Sequence, residues 1–360
     1  MKKTACYGIL LVLLLLPFTA KAVSQNENEV YNLLNENGEE ITLYGGTPEV
    51  EDEYISGDNG HYQVIKVNSQ EKTAILKRLG EYDMPKVDWE DQDSTLPVMA
   101  MKKAVALYCT HSDESYEPGD GSSSKEQRGG IYDVAEKLKA ALEKKGVAVY
   151  YSDENHYPHD AGAYRRSRST AASLAKEGVE AIFDIHRDGI PDASQYESQV
   201  AGDDVTKVRL LVGRSNQNAS ANKQFAARLK AVADKVYPGL IKDIYIGKGT
   251  YNQDLMSQAV LLEFGTHKSE KNEVLASTAY MADVINRTLY GGVTGAAKET
   301  EKKEDAAGWK SALWVLGLFA AGILVYSLIS TGSLSGAGTK LKRQFQEMTG
   351  GITGKKDDPE

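Results

Sequence analysis

Cysteine is scarce in this chain of 360 residues, which carries only two. Cys6 falls within an apolar leader, so Cys109 alone remains for the folded part. A disulfide scaffold and a cysteine-rich zinc site are therefore excluded. The chain also lacks a His-Glu-x-x-His signature, and a general zinc peptidase that acts on proteins consequently ranks last among the candidate functions.

An excess of positive charge is missing too. The 42 Lys and Arg residues are outnumbered by 51 Asp and Glu, for a formal net charge of −9. This balance excludes a nucleic-acid binder that depends on overall basicity. Hydrophobic residues make up 41% and charged residues 26%, which is ordinary globular composition and excludes a wholly disordered or fibrous protein.

Two long apolar segments are expected to lie outside the fold. Residues 1–22 have a charged start, an apolar run and a small-x-small end, which predicts a signal peptide, with an uncleaved anchor as the alternative. Residues 311–329 are uncharged and long enough for a transmembrane helix. We therefore expect a linker at 292–310, a cytoplasmic tail at 330–360, and a cell-membrane protein whose catalytic domain faces the extracytoplasmic side.

Residues 23–100 are acidic, with 17 acidic and five basic residues. Alternation from Tyr62 to Val67 predicts a strand, and the run from Thr73 to Leu79 is interpreted as helical, so this region is a candidate small subdomain. Its start has a disordered character, and Pro85 to Pro97 is interpreted as a linker. We assign this region no chemistry.

Residues 101–291 alternate apolar runs with amphipathic segments, which predicts an α/β fold: a mixed, mostly parallel six-stranded sheet with helices on both faces. The predicted strands are Ala104–Cys109, Val147–Tyr151, Ala181–Ile185, Val208–Val212, Ile241–Ile246 and Ala259–Phe264. The predicted helices are Ile131–Lys145, Ala163–Lys176, Ala221–Val236 and Glu270–Leu289.

Polar residues follow three of these apolar runs directly, namely His111, His186 and Glu263. If their strands are parallel and adjacent, the three side chains converge at one edge of the sheet. Two histidines and a carboxylate make a zinc site with an open position for water, and a further carboxylate is then needed to move the proton. A hydrogen-bonded surface role is the alternative for each residue taken singly.

Four segments carry a family resemblance: 110–116 (THSDESY), 159–167 (HDAGAYRRS), 183–188 (FDIHRD) and 261–267 (LLEFGTH). Their order and spacing resemble the stage II sporulation protein P family, within the superfamily of zinc-dependent N-acetylmuramoyl-L-alanine amidases. The resemblance covers residues 101–291. It implies Zn²⁺ as cofactor, with His111 and His186 as metal ligands and Glu263 as the general acid and base.

The third ligand is open between two glutamates. Related amidases usually place a glutamate shortly before the helix that follows the first strand, and Glu126 occupies that place. Glu114, three residues after His111, is the rival. We favour Glu126, because three ligands from separate segments suit an open tetrahedral site. The alternatives are a solvated loop acid for Glu126 and a cap of a helix or turn for Glu114.

The resemblance also predicts that His159 lines the site. Arg166 and Arg187 are candidates for binding peptide carboxylates, which arginine recognises bidentately, and a solvated helix face explains Arg166 equally well.

The function implied is a hydrolase that cleaves the amide between N-acetylmuramic acid and L-alanine in peptidoglycan. The family adds cleavage of peptide cross-links, a role in engulfment during sporulation, and the D and M proteins of stage II sporulation as candidate partners. The alternative is a non-catalytic wall-binding or scaffold module that keeps the amidase fold.

Overall fold

The computed structural model describes residues 29–87 and 103–291. The predictions for residues 1–22, 292–310, 311–329 and 330–360 lie outside these ranges. In the part of the chain that is described, no helix has the length and apolar character needed to cross a membrane.

Thirteen strands are present in the described ranges. They are β1 (Val30–Asn35), β2 (Glu40–Gly45), β3 (Glu53–Ile55), β4 (Gly60–Asn68), β5 (Thr73–Glu81), β6 (Ala104–Tyr108), β7 (Ala148–Tyr151), β8 (Ala181–Asp188), β9 (Glu197–Val200), β10 (Asp203–Thr206), β11 (Val208–Gly213), β12 (Ile241–Gly247) and β13 (Ala259–Thr266). The helices are the single turn α1 (Glu117–Asp120), α2 (Ile131–Glu143), α3 (Ala163–Ala175), α4 (Ala219–Val236) and α5 (Lys271–Tyr290).

The predicted six strands form one half of a larger sheet. They lie in the order β12-β11-β13-β8-β6-β7, and each pair of neighbours is parallel except β11 and β13. The prediction of a mixed, mostly parallel sheet is confirmed. Parallel pairing puts the carboxyl ends of β6, β8 and β13 at the same edge, where ligands bind in sheets of this kind.

Helices cover both faces of this half, as predicted. Val105 and Leu107 of β6 belong to the core cluster that includes apolar residues of α2, α4 and α5. Ala104 and Ala106 pack instead with Ala171 and other residues of α3. Side chains alternate between faces along a strand, so β6 contributes to both layers.

The N-terminal region departs from the prediction. The segment from Thr73 to Leu79 is part of strand β5, not a helix, because Ala74 and Leu76 are buried on one face at the two-residue period of a strand. The start of the region is expected from the sequence to have a disordered character, but strands β1 and β2 lie there. Tertiary pairing along β1 and β4 overrides the weak local preference.

This region also continues the main sheet instead of forming a separate subdomain. Strand β3 pairs antiparallel with β12, which gives the full order β2-β1-β5-β4-β3-β12-β11-β13-β8-β6-β7. The region further shares a core cluster with Leu211, Tyr245 and Leu261 of the central strands. Tyr44 stacks on Tyr245 with ring centroids 3.9 Å apart. The N-terminal strands therefore build one wall of the central layer.

Candidate active site

The three residues that follow apolar runs do converge. Strand β8 extends beyond its predicted end at Ile185, so His186 lies within the strand. Glu263 lies within β13, inside the bounds predicted for that strand. The two are direct partners in the parallel pairing of β8 with β13 and share one face of the sheet. His111 follows the end of β6, which pairs with the other side of β8.

A buried trio of metal-binding side chains forms at this edge: His111, Glu114 and His186. Glu114 Oε1 lies 3.1 Å from His111 Nδ1 and 3.3 Å from His186 Nδ1. The side chains of all three are at most 1% exposed. Glu114 is fixed from behind, because the Arg187 backbone N–H donates to Oε2 at 3.0 Å.

The trio fits zinc. Ligands at zinc–nitrogen and zinc–oxygen distances of about 2.1 Å around a tetrahedral ion lie about 3.4 Å apart. The two separations from Glu114 Oε1 are close to this value, and one potential ligand atom from each residue lies within 4.8 Å of the others. Two imidazoles and one carboxylate are the donor set of many catalytic zinc sites.

The protonation of the trio reflects its burial and mutual contact. Burial, aided by the charge of His159, lowers the pKa of His111 to about 4, which leaves the neutral imidazole that a metal requires. Burial opposes ionisation of Glu114, but the His186 charge and hydrogen bonds with both imidazoles hold its pKa well below the usual range. Burial likewise opposes a charged His186, yet the Asp184 and Glu114 carboxylates raise its pKa well above the ordinary value.

Asp184 supports His186 from the same face of β8. Its Oδ1 lies 3.0 Å from His186 Nε2, as a close charge contact and not as a well-directed hydrogen bond. The Thr110 backbone N–H and hydroxyl both donate to Asp184, at 2.8 and 2.6 Å. A carboxylate behind a histidine is the usual support of a metal-binding imidazole.

The structure does not bring Glu126, the favoured third ligand, to the two histidines; Glu114, the alternative, lies there instead. The Glu126 side chain is exposed, and its carboxylate accepts a hydrogen bond from the Tyr157 hydroxyl at 3.1 Å. Glu114 enters the site because the backbone turns back sharply after His111, with the Glu114 N–H donating to the His111 carbonyl at 3.2 Å. Side chains close in sequence can thus reach one cluster without coming from separate segments.

Glu263, the predicted acid and base, is fully buried beside His186. The Tyr196 hydroxyl lies 3.4 Å from its Oε2, and Arg209 Nη1 lies 3.8 Å from the same oxygen. Both groups are hydrogen-bond donors that lie beside the predicted proton acceptor.

The stage II sporulation protein P family model matches residues 19–286, about three quarters of the chain. The chain belongs to that family. The curated stage II sporulation protein P of Bacillus subtilis (strain 168) is 27% identical over 259 residues, a match that covers 66% of this chain and 64% of the relative. The match thus spans less than two thirds of that relative.

Solved amidase structures are also similar to this member of the stage II sporulation protein P family. The CwlD amidase from Clostridioides difficile, in complex with the GerS lipoprotein, is 13% identical, with 53% of this chain and 96% of that chain covered and a TM-score of 0.33. The apo amidase Ami1 from Mycobacterium abscessus is 12% identical, with coverages of 53% and 98% and a TM-score of 0.34.

The arginines predicted to bind substrate make structural contacts in this protein. Arg187 is 1% exposed, and its guanidinium donates to the carbonyls of Ser115 and Ser123 at 2.9 and 2.8 Å. Arg187 therefore fastens the loop that carries Glu114. Arg166 donates to the His156 carbonyl at 2.7 Å and to Asp160 at 2.8 Å, which fixes the neighbouring loop.

His159 does lie at the site. Its ring stacks on His111 with centroids 3.7 Å apart, and its Nδ1 lies 3.4 Å from Asp113 Oδ1. It is partly exposed, so it borders both the trio and solvent. Its contact with substrate stays a prediction.

Sequence reasoning missed Asp184, Tyr196 and Arg209. Asp184 could have been found, because a residue two positions before His186 in a strand shares its face. Arg209 also left a signal, as a lone charge within the apolar run VRLLVG. Tyr196 left none, since it reaches the site from the short turn before β9.

Proposed function

We propose that this protein is a zinc-dependent peptidoglycan hydrolase that cleaves the amide between N-acetylmuramic acid and L-alanine. The observation that carries the proposal is the buried trio of His111, Glu114 and His186, with the Glu263 carboxylate next to His186 on the same face. Membership in the stage II sporulation protein P family supports the choice of peptidoglycan as the substrate.

His111, Glu114 and His186 would hold the zinc ion. Bound zinc supplies a Lewis acid that polarises the amide carbonyl and lowers the pKa of a water molecule. Glu263 accepts a proton from the attacking water on its carboxylate and passes it to the nitrogen of the leaving amine. Burial of the trio and of Glu263 keeps the surroundings of low polarity, which strengthens each electrostatic contact with the reacting groups.

The biological setting is part of the same proposal and rests on family membership. The protein would cleave peptidoglycan during engulfment in sporulation, with the D and M proteins of stage II sporulation as partners. The membrane, reached through the segment at 311–329, would hold the catalytic domain on its extracytoplasmic side. Cleavage of peptide cross-links would be a second activity of the same centre.

Mass spectrometry of muropeptides tests the chemistry. Purified protein incubated with sacculi should release stem peptides with a free L-alanine amine, and a chelator should abolish the release until zinc is restored. Glu263→Gln should lose cleavage and keep zinc binding. Glu126→Gln, an exposed control, should match the wild type. Full activity of Glu263→Gln would overturn the mechanism.

The same experiment distinguishes a hydrolase from a non-catalytic scaffold. Retention of wild-type protein on sacculi without any released peptide, in the presence of zinc, would replace the hydrolase with a non-catalytic wall-binding module. Release of peptides that are cut only at cross-links would assign the centre to endopeptidase chemistry instead.

A further inference from the structure

Arg209 is a wholly buried arginine in β11 that lies opposite Glu263 in the antiparallel pairing with β13. Its Nε and Nη2 donate to the two oxygens of Asp243 at 2.7 and 3.0 Å. Its Nη1 donates to Asp188 Oδ2 at 2.7 Å. Because Asp243 and Asp188 bind two different sides of the guanidinium, the group has one orientation. The fold therefore sets the direction in which Nη1 points.

Two donors bridge a pair of carboxylates at this point. The Tyr196 hydroxyl lies 2.8 Å from Asp188 Oδ2 and 3.4 Å from Glu263 Oε2. Arg209 Nη1 faces the same two oxygens, at 2.7 and 3.8 Å. Asp188 binds both donors more closely, so it holds them beside Glu263.

A buried carboxylate that must accept and release a proton needs hydrogen-bond donors and positive charge nearby. An ionised group removed from water is strongly destabilised unless charges and hydrogen bonds replace its hydration. A general base must also keep its oxygen within hydrogen-bond reach of the proton that it accepts, and groups behind it provide that constraint. Glu263 has an exposed fraction of zero, so protein groups supply this support.

The N-terminal strands take part in this arrangement. The Leu43 carbonyl in β2 accepts a hydrogen bond from Arg209 Nη2 at 3.1 Å, and the Thr42 hydroxyl accepts one from Lys242 at 2.7 Å. Gly45, at the end of β2, lies directly against Asp188, and any side chain there would overlap the Asp188 carboxylate. A region without a catalytic motif thus touches two members of the cluster that faces Glu263.

We propose that Tyr196 and Arg209 are positioning residues for Glu263, and that strand β2 completes this positioning set by holding Arg209 and Asp188. The inference rests on the proposed hydrolase function. It assigns the acidic N-terminal region an indirect part in catalysis, exerted through Arg209 and Asp188, in place of a separate subdomain role.

The test compares two buried tyrosines in the full chain. Tyr196→Phe removes the hydroxyl that bridges Asp188 and Glu263, whereas Tyr245→Phe removes a buried hydroxyl that donates to Asp52 at 2.9 Å. Steady-state release of stem peptides gives kcat and KM, competition titration gives zinc affinity, and thermal unfolding reports folding. We expect kcat of Tyr196→Phe to fall about tenfold or more, since the change removes a hydrogen-bonding hydroxyl from between two charged carboxylates. Its KM and zinc affinity should stay unchanged.

Tyr245→Phe should retain the wild-type kcat with a similar change in melting temperature. A kcat of Tyr196→Phe equal to the wild type, or an equal loss of kcat in both variants, would overturn the positioning role. A wild-type protein that cleaves no peptidoglycan would instead remove the proposed function, and the inference with it.

Gly45→Ala tests the contribution of β2 through a different residue, and serves alone if Tyr196→Phe does not fold. The added methyl group should displace Asp188 and lower kcat at unchanged zinc affinity. A folded Gly45→Ala protein with wild-type kcat would refute the part assigned to the N-terminal strand.

Discussion

Replacement of Glu114 by glutamine should remove most of the zinc affinity, whereas the same replacement at Glu126 should change little. Glu114 Oε1 lies between the two imidazole Nδ1 atoms, at 3.1 and 3.3 Å. Glutamine keeps the shape and an oxygen that can accept from the Arg187 N–H, but it removes the negative charge that a divalent ion requires. Glu126 is exposed, and its carboxylate accepts a hydrogen bond from the Tyr157 hydroxyl.

The size of the effect follows from burial. Loss of a residue that merely supports a metal ligand lowers affinity about 10–100-fold. Glu114 is a proposed ligand with a side chain 1% exposed, so water cannot enter easily to replace it. We therefore expect Glu114→Gln to weaken zinc binding more than about 100-fold, equivalent to about 2.7 kcal/mol at 1.36 kcal/mol for each factor of ten.

Competition between the protein and a chromogenic chelator measures this affinity directly. Thermal unfolding with and without zinc gives an independent readout, because an ion that binds only the folded protein raises its melting temperature. Wild type and Glu126→Gln should show the rise, and Glu114→Gln should not. Zinc affinity of Glu114→Gln within a factor of two of the wild type would refute the assignment of the trio.

Three further predictions concern the framework of the site. Arg187→Met should lower the free energy of unfolding by about 2–5 kcal/mol in urea titrations, because the carbonyls of Ser115 and Ser123 lose their buried donors; an unchanged midpoint would contradict its fastening role. Leu138→Ala should lower the free energy of unfolding by about 2–5 kcal/mol in the same titrations, since Leu138 is fully buried in the core. A decrease of less than about 1 kcal/mol would show that the surrounding core residues move to fill the cavity. Deletion of residues 29–87 should abolish cooperative thermal unfolding, because it exposes the apolar face around Tyr245; a sharp transition in the shortened chain would show that residues 103–291 fold alone.

The predictable parts of this fold are those with a local period. Each of the six strands and four helices predicted between residues 101 and 291 is present, with ends displaced by a few residues. The spacing of apolar residues along a short segment can be seen directly in the sequence, and it differs between a helix and a strand. The segment from Thr73 to Leu79 shows the limit, because a short apolar run suits a helix or a strand and its pairing partners decide between them.

The sequence alone determined the class of fold and the three polar residues that follow apolar runs, since the alternation of apolar and amphipathic segments is a local pattern. Only the tertiary structure decided that the strands β6, β8 and β13 are neighbours in the sheet. The tertiary structure likewise decided that Glu114 joins His111 and His186, because a tight backbone turn, and not sequence spacing, sets where a loop side chain points. It also decided that Arg209, Tyr196 and strand β2 surround Glu263. Contacts between residues more than 150 positions apart, such as Leu43 with Arg209, depend on how distant strands pair in the sheet. No local sequence pattern predicts that pairing.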